Sequence, residues 1–305
     1  MLYFTRWKAL AIVLTALVVC LCAVPNFFPE ATVKTWPAWA QRRLVLGLDL
    51  QGGSYLLLEV DANSVKKDRL EAVRDEARKV LDAIYAAFGQ DWDAIESAPA
   101  AESLTAEAIW LARLLVQLLP EEPEAKGLLA LMLYCEARRR ARRDAEGGFV
   151  PLSRQDARLW DRPMIIEAEM LLTQAARMGQ FGRYQCEAAI QSVHIQRPIT
   201  GRINHQGLLV LYDLLVAHTD SIAARISRAV VVADSGKPAQ AAADLEAIDS
   251  AKVAGHQPWW VARAHVAALL DDREKARAAL DTAIGLTADP AVRRHLEGLR
   301  AALGQ

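Results

Sequence analysis

A charge-free stretch of sixteen residues from Ala9 to Val24, entered through Arg6, Trp7 and Lys8, constrains this chain more than any other feature. It has no polar face, so it is unsuited to lie on a soluble core as an amphipathic helix does. At helical rise it reaches roughly 24 Å, slightly short of a ~30 Å hydrocarbon core. Trp7 on one side and Phe27 and Phe28 on the other can extend that reach at the interfaces. Basic residues ahead of the run favour a cytoplasmic amino end. A cleaved signal peptide is the alternative. Val19 and Leu21, rather than small residues, precede Cys20 and Cys22, which argues against a lipoprotein site. The expectation is an uncleaved signal anchor over residues 1–28, held in the membrane through residues 9–24.

Past a linker containing Trp36, Pro37 and Trp39, two β-prone runs, Leu44 to Leu50 and Ser54 to Val60, flank Gln51-Gly52-Gly53. Glycine tolerates positive φ, so this pattern predicts a tight β-hairpin. A helix is expected from about Ser64, with Leu70, Val73, Ala77, Val80, Leu81 and Ile84 on one stripe. The apolar start, Pro25-Asn26-Phe27-Phe28-Pro29 and Leu46-Gly47-Leu48-Asp49-Leu50-Gln51-Gly52-Gly53, in that order, resemble the opening of the SecD family of protein-translocase subunits. The resemblance runs from Met1 to about Lys79. It implies a partial periplasmic segment over residues 29–81, a motif carried by Gly47, Asp49, Gly52 and Gly53, and Sec translocase subunits as partners. The remaining SecD periplasmic domain and further spans do not follow, so export activity is not expected to transfer.

From about Asp82 the chain changes character, with Ala, Leu and Arg dominant. Helices are placed by their punctuation. Thr105 to Leu119 ends at Pro120; Pro123 opens a helix that should run to Arg143 before Gly147-Gly148; Asp161 caps one over Arg162 to Met178. Tyr184 to Gln196 and Gln206 to His218 follow. Ser221 to Ser235 with Pro238 to Asp249, and Pro258 to Leu270 with Arg273 to Gly285, read as two helix pairs. Ala241 and Leu245 correspond to Ala276 and Leu280 at a period of about 35, close to a tetratricopeptide length of ~34. A plain α-bundle is the competing architecture. The fold class expected is all-α: a tetratricopeptide-like helical repeat domain, preceded by one transmembrane helix and a short hairpin–helix fragment.

Ala83-Ile84-Tyr85, Thr105-Ala106-Glu107-Ala108, Leu118-Leu119-Pro120, Gly127-Leu128-Leu129-Ala130-Leu131-Met132-Leu133, Trp160-Asp161, Tyr184-Gln185 and Leu211-Tyr212-Asp213-Leu214-Leu215 resemble the helical carboxyl-terminal extension of a subgroup of extracytoplasmic-function sigma factors. The resemblance covers about Asp82 to Gln305. It implies an extension domain over residues 82–220, repeats over 221–305, and a regulatory, protein-interaction role with RNA polymerase or a regulator as partner. The two promoter-reading domains that precede this extension in the family do not precede it here, so promoter recognition is not expected.

Composition sets further bounds. Lys and Arg total 36 against 37 Asp and Glu, a net charge of -1, which gives no global reason for nucleic-acid binding. The densest local charge is Arg138, Arg139, Arg140, Arg142 and Arg143, either an anion-contacting patch or a solvated helix end whose cations suit the helix dipole. Gln155, Asp156, Trp160 and Asp161 mark either a helix cap or a groove. The six histidines, His194 among them, show no metal-ligand spacing. His194 itself reads as a core residue or a polar site. Cys135 and Cys186 stand apart and are expected as thiols. Gly52-Gly53 lacks the following Lys-Ser or Lys-Thr of a phosphate loop, and no nucleophile elbow occurs. No cofactor, no metal and no enzymatic activity are therefore expected. If the two parts are one gene product, the chain belongs to the inner membrane. If they are a composite joined near residues 80–84, the helical part belongs to the cytoplasm.

Overall fold

A computed structural model of the protein describes residues 6–24, 36–37, 75–89 and 104–304. The chain divides into two compact units, Met1–Arg69 and Leu70–Gln305. The expected hairpin over residues 44–60 lies outside the described residues, as do Gly47, Asp49, Gly52 and Gly53.

In the first unit, α1 spans Arg6–Ala23. Its apolar side chains, Leu10, Val13, Leu17 and Leu21 among them, are exposed. The membrane-spanning helix expected over residues 9–24 is not found: among the described residues no helix is long and apolar enough to cross a membrane. Eighteen residues rise about 27 Å, and Arg6 and Lys8 occupy the first turn, so the apolar part falls well below a ~30 Å core.

The second unit is helical, and no strand occurs among the described residues; one antiparallel bridge joins Arg143 and Phe149. Its helices are α2 (residues 75–89), α3 (Leu104–Leu118), α4 (Pro123–Glu136), α5 (Arg162–Arg177), α6 (Arg183–Thr200), α7 (His205–Thr219), α8 (Ile222–Asp234), α9 (Pro238–Glu246), α10 (Ser250–Val253), α11 (Gln257–Leu269), α12 (Arg273–Leu286) and α13 (Pro290–Ala302). The boundary expected between residues 81 and 82 falls inside α2.

The front of this unit is built around α4, which is buried on nearly all sides; Leu128, Met132, Leu133 and Tyr134 are inaccessible. α2 adds Leu81, Ile84 and Phe88, and α3 adds Ile109 and Ala112. Two features bring α4 and α6 close. Gly127 sits where a Cβ would lie 2.7 Å from the Gln185 nitrogen. Glu124 Oε2 accepts from the Tyr184 N–H at 2.8 Å and Oε1 from the Gln185 N–H at 3.1 Å. The N-cap of α6 is Gly182, which has no side chain to cap with, so a carboxylate from another helix satisfies those donors.

The helix expected over Pro123 to Arg143 ends at Glu136, and residues Arg139–Arg142 wind as a 3-10 turn. Arg138 turns inward: its Nε donates to the Tyr134 carbonyl at 3.1 Å and Nη2 to Gln191 Oε1 at 2.6 Å. The Asp161 N–H takes the Ala137 carbonyl at 2.8 Å. These tertiary bonds replace the next helical turn.

The back of the unit stacks helix pairs with alanine seams. Ala229, Val231, Ala241 and Leu245 of α8 and α9 are buried, and so are Ala264, Val266, Ala276 and Leu280, each 35 residues later in α11 and α12. Small side chains let paired backbones approach, and stacking buries the stripe that one pair leaves open. α13, capped by Asp289, closes the chain and was not placed by the sequence pattern.

Candidate binding cavity

The last helix is tied back to the middle of the unit. Asp289 Oδ1 caps α13 by accepting from the Ala291 N–H at 2.7 Å, and Oδ2 accepts from Arg143 Nη2 at 2.6 Å. A few residues on, the Phe149 ring meets the His295 ring edge-on at 5.5 Å. Between the 149–151 segment, α13 and helices α6, α7, α8, α11 and α12 lies a cavity of about 830 Å³. Its walls are mainly apolar, with Leu208, Ile226, Val231, Val261, Leu296 and Leu299 among them. That volume suits a small-molecule ligand.

Four of the six histidines line it: His194, His205, His265 and His295. His265 Nε2 lies 2.7 Å from Asp234 Oδ1. Burial, and then the positive charges of Arg138, Arg197 and His205, push the His194 imidazole down to about 4. His295 is lowered by burial and then by Arg154. His194 is therefore neutral at pH 7, with one donor and one acceptor nitrogen to offer. Arg138 bonds a carbonyl, an amide oxygen and a thiol sulfur, while Arg197 donates to the carbonyls of Leu152, at 3.2 Å, and Ser153. Among the described residues neither guanidinium meets a carboxylate. No group of three or more His, Cys, Asp or Glu is placed to hold a metal ion among the described residues.

The arginine cluster is split by the fold. Arg138 is buried; Arg139 binds Glu136 at 2.7 Å and Thr105 Oγ1 at 2.8 Å; Arg143 binds Asp289; Arg140 is exposed. Ala141, between Arg140 and Arg142, is buried, so the five guanidiniums do not share one face. Asp156 caps the Ala157–Leu159 turn and Asp161 caps α5 by accepting from the Met164 N–H at 3.1 Å. Gln155 Nε2 donates to the Val150 carbonyl at 3.3 Å, and Trp160 packs in the front core. Cys135 and Cys186 are thiols; burial raises both, Cys186 to about 12, which leaves them unreactive at neutral pH. The histidine set escaped the sequence pattern because its members lie on four helices spread over a hundred residues of chain.

A second polar cluster fastens α2 to α6. Tyr85 Oη donates to Glu187 Oε2 at 3.2 Å, Tyr184 Oη donates to Asp82, and the Arg183 guanidinium lies over both rings at 5.6 and 5.1 Å. Burial first, then the neighbouring carboxylates, raise both phenols, so they stay protonated donors.

The two units match different families. Residues 76–176 match a family of unknown function, DUF6596. Residues 38–63 match the SecD/SecF GG motif. The chain is 34% identical over 223 residues to an uncharacterized protein of Rhizobium meliloti, covering 72% of this chain and 52% of that protein. It is 37% identical over 113 residues to the protein translocase subunit SecD of Rhodobacter capsulatus, covering 29% of this chain and 20% of that protein. It is 45% identical over 83 residues to the subunit SecDF of Brucella abortus, covering 27% and 11%. The chain thus spans about half the length of the first relative and a fifth or less of the translocase subunits. No solved structure matches. The amino-terminal region is similar to SecD, and the helical unit is similar to proteins whose function is not stated.

Proposed function

We propose that the helical unit is a non-enzymatic, regulatory protein-interaction module built from tetratricopeptide-like pairs, of the type carried by extracytoplasmic-function sigma factors. The observation that supports this most is the 35-residue repetition of buried positions between α8–α9 and α11–α12. Stacked pairs of this kind offer extended surfaces for partners. The sigma-factor element rests on the sequence resemblance, which makes RNA polymerase or one of its regulators the partner. The test is binding of the purified full chain to core RNA polymerase, read by analytical ultracentrifugation. A stable complex is expected; independent sedimentation of the two at micromolar concentration would remove the sigma-type reading.

A second reading concerns the first unit alone and is favoured by the match to the GG motif. Here α1, with its exposed apolar side chains, seats the amino terminus at the inner membrane, and residues 38–63 associate with translocase subunits. Copurification with those subunits, lost on deletion of residues 1–60, is the expected result. Because the family matches fall on separate stretches, residues 38–63 and 76–176, a composite gene product is the third reading. One DNA sequencing read across codons 70–95 decides it: an intact join keeps the fusion, and a broken join separates the two parts.

A further inference from the structure

Every buried cation usually has an anion beside it, or the cost of desolvating it goes unrecovered. Arg138 departs from that rule. It is buried, and its guanidinium is held by the Tyr134 carbonyl, Cys135 Sγ and Gln191 Oε1, all neutral acceptors. Arg197, half-buried, likewise donates to neutral acceptors, the carbonyls of Leu152 and Ser153, next to Pro151 on the cavity wall. Gln191 and Arg197 stand three residues before and three residues after His194 on α6, so both guanidiniums flank the histidine along one helix face. His194 and His205 line the cavity at this place, and each can donate a hydrogen bond inward. The remaining wall is apolar, and Asp234, elsewhere on the lining, is already engaged by His265.

We propose that the cavity enclosed by α6, α7, α8, α11, α12 and α13 is a binding site for a small apolar carboxylate, its anionic group received by His194 and His205 beside Arg138 and Arg197 and its apolar body held by the walls. Neither guanidinium is ion-paired to a carboxylate among the described residues, so each keeps positive charge to offer an anion beside it. A single carboxylate suits the site, since Asp234 opposes a second negative group. The proposal goes beyond the protein-interaction reading and does not depend on it.

The test is calorimetric titration of the full chain with naphthylacetate and, separately, with naphthylethanol, which share one ring system and differ in charge. One naphthylacetate per chain is expected, bound about tenfold or more tighter than naphthylethanol, as a charge-assisted contact requires. Ala268 lines the cavity and is itself exposed, so Ala268→Trp fills the space without disturbing a core. It should weaken both probes about tenfold or more, and it also reports any uptake elsewhere, on α1 for example. Arg197→Gln should cut the preference for the anion by about threefold or more and leave naphthylethanol unchanged, with Arg197→Lys retaining it. Equal affinity for the two probes would overturn the anion site, and binding indifferent to Ala268→Trp would overturn the cavity. Failure here leaves the polymerase test untouched, because that experiment reads a protein complex and not the uptake of a small molecule.

Discussion

The front and back of the helical unit bury apolar surface by opposite means. Around α4 the core is made of large side chains, Phe88, Leu128, Met132, Leu133 and Tyr134. From α8 onward it is made largely of alanines and valines, with Ile226, Leu245, Ile248, Trp259, Leu280 and Leu296 as the larger members. One region is held by filled volume, the other by close approach of backbones. A volume-held core is sensitive to losing atoms, and an approach-held seam is sensitive to gaining them.

Mutations can break that contrast or sharpen it. Leu133→Ala, in the front, should cost about 2–5 kcal/mol by cavity formation, read from urea unfolding of the full chain. A loss below about 1 kcal/mol would show that the front collapses freely and is not volume-held. Ala276→Leu, in the back, should cost about 1–3 kcal/mol by overpacking the seam between α11 and α12, whereas Ala276→Gly should cost about 1 kcal/mol from helix propensity. A stabilising Ala276→Leu would mean the seam has room to spare.

The electrostatic ties are expected to be smaller. Glu124→Ala strips the α6 amino terminus of its borrowed cap and should cost about 2 kcal/mol, with hydrogen exchange accelerating first at Tyr184 and Gln185. His194 gives a pH signature. A free imidazole binds its proton near 6.5, the folded one only near 4, so the unfolded state holds more protons between those values. Stability contributed by the neutral ring is full above 6.5 and is lost as pH falls toward 4, by about 1 kcal/mol for a half-buried group. His194→Gln should flatten that part of the pH–stability curve. Arg143→Gln should cost least, below about 1 kcal/mol in stability, yet loosen the attachment of α13, seen as faster exchange at Ala291 and Val292.

Local chemistry made much of the helix order legible. Pro123 and Pro238 lie in first turns, and Asp161 caps the helix that follows it. These signals act within four residues, the range over which a helix end solves its own hydrogen-bonding problem. The periodic pair Ala241–Leu245 and Ala276–Leu280 was readable for the same reason. The arginine run was misleading because its charges are consecutive in sequence and divided in space. The spanning helix was misleading because the apolar run is shorter than the bilayer it was matched to, so the interface residues around it were asked to supply the missing length.

By itself, then, the sequence determined the helical character of the second unit over its described residues and most of its helix boundaries. The tertiary structure decided where α4 stops, which helix caps α6, and that the chain closes on itself around a histidine-lined cavity. Those outcomes rest on contacts such as Arg138–Gln191, Glu124–Gln185 and Arg143–Asp289, which are 53, 61 and 146 residues apart. A residue's local pattern reports its neighbours along the helix. Its partner across the fold is chosen only when the packed helices bring the two within hydrogen-bonding distance.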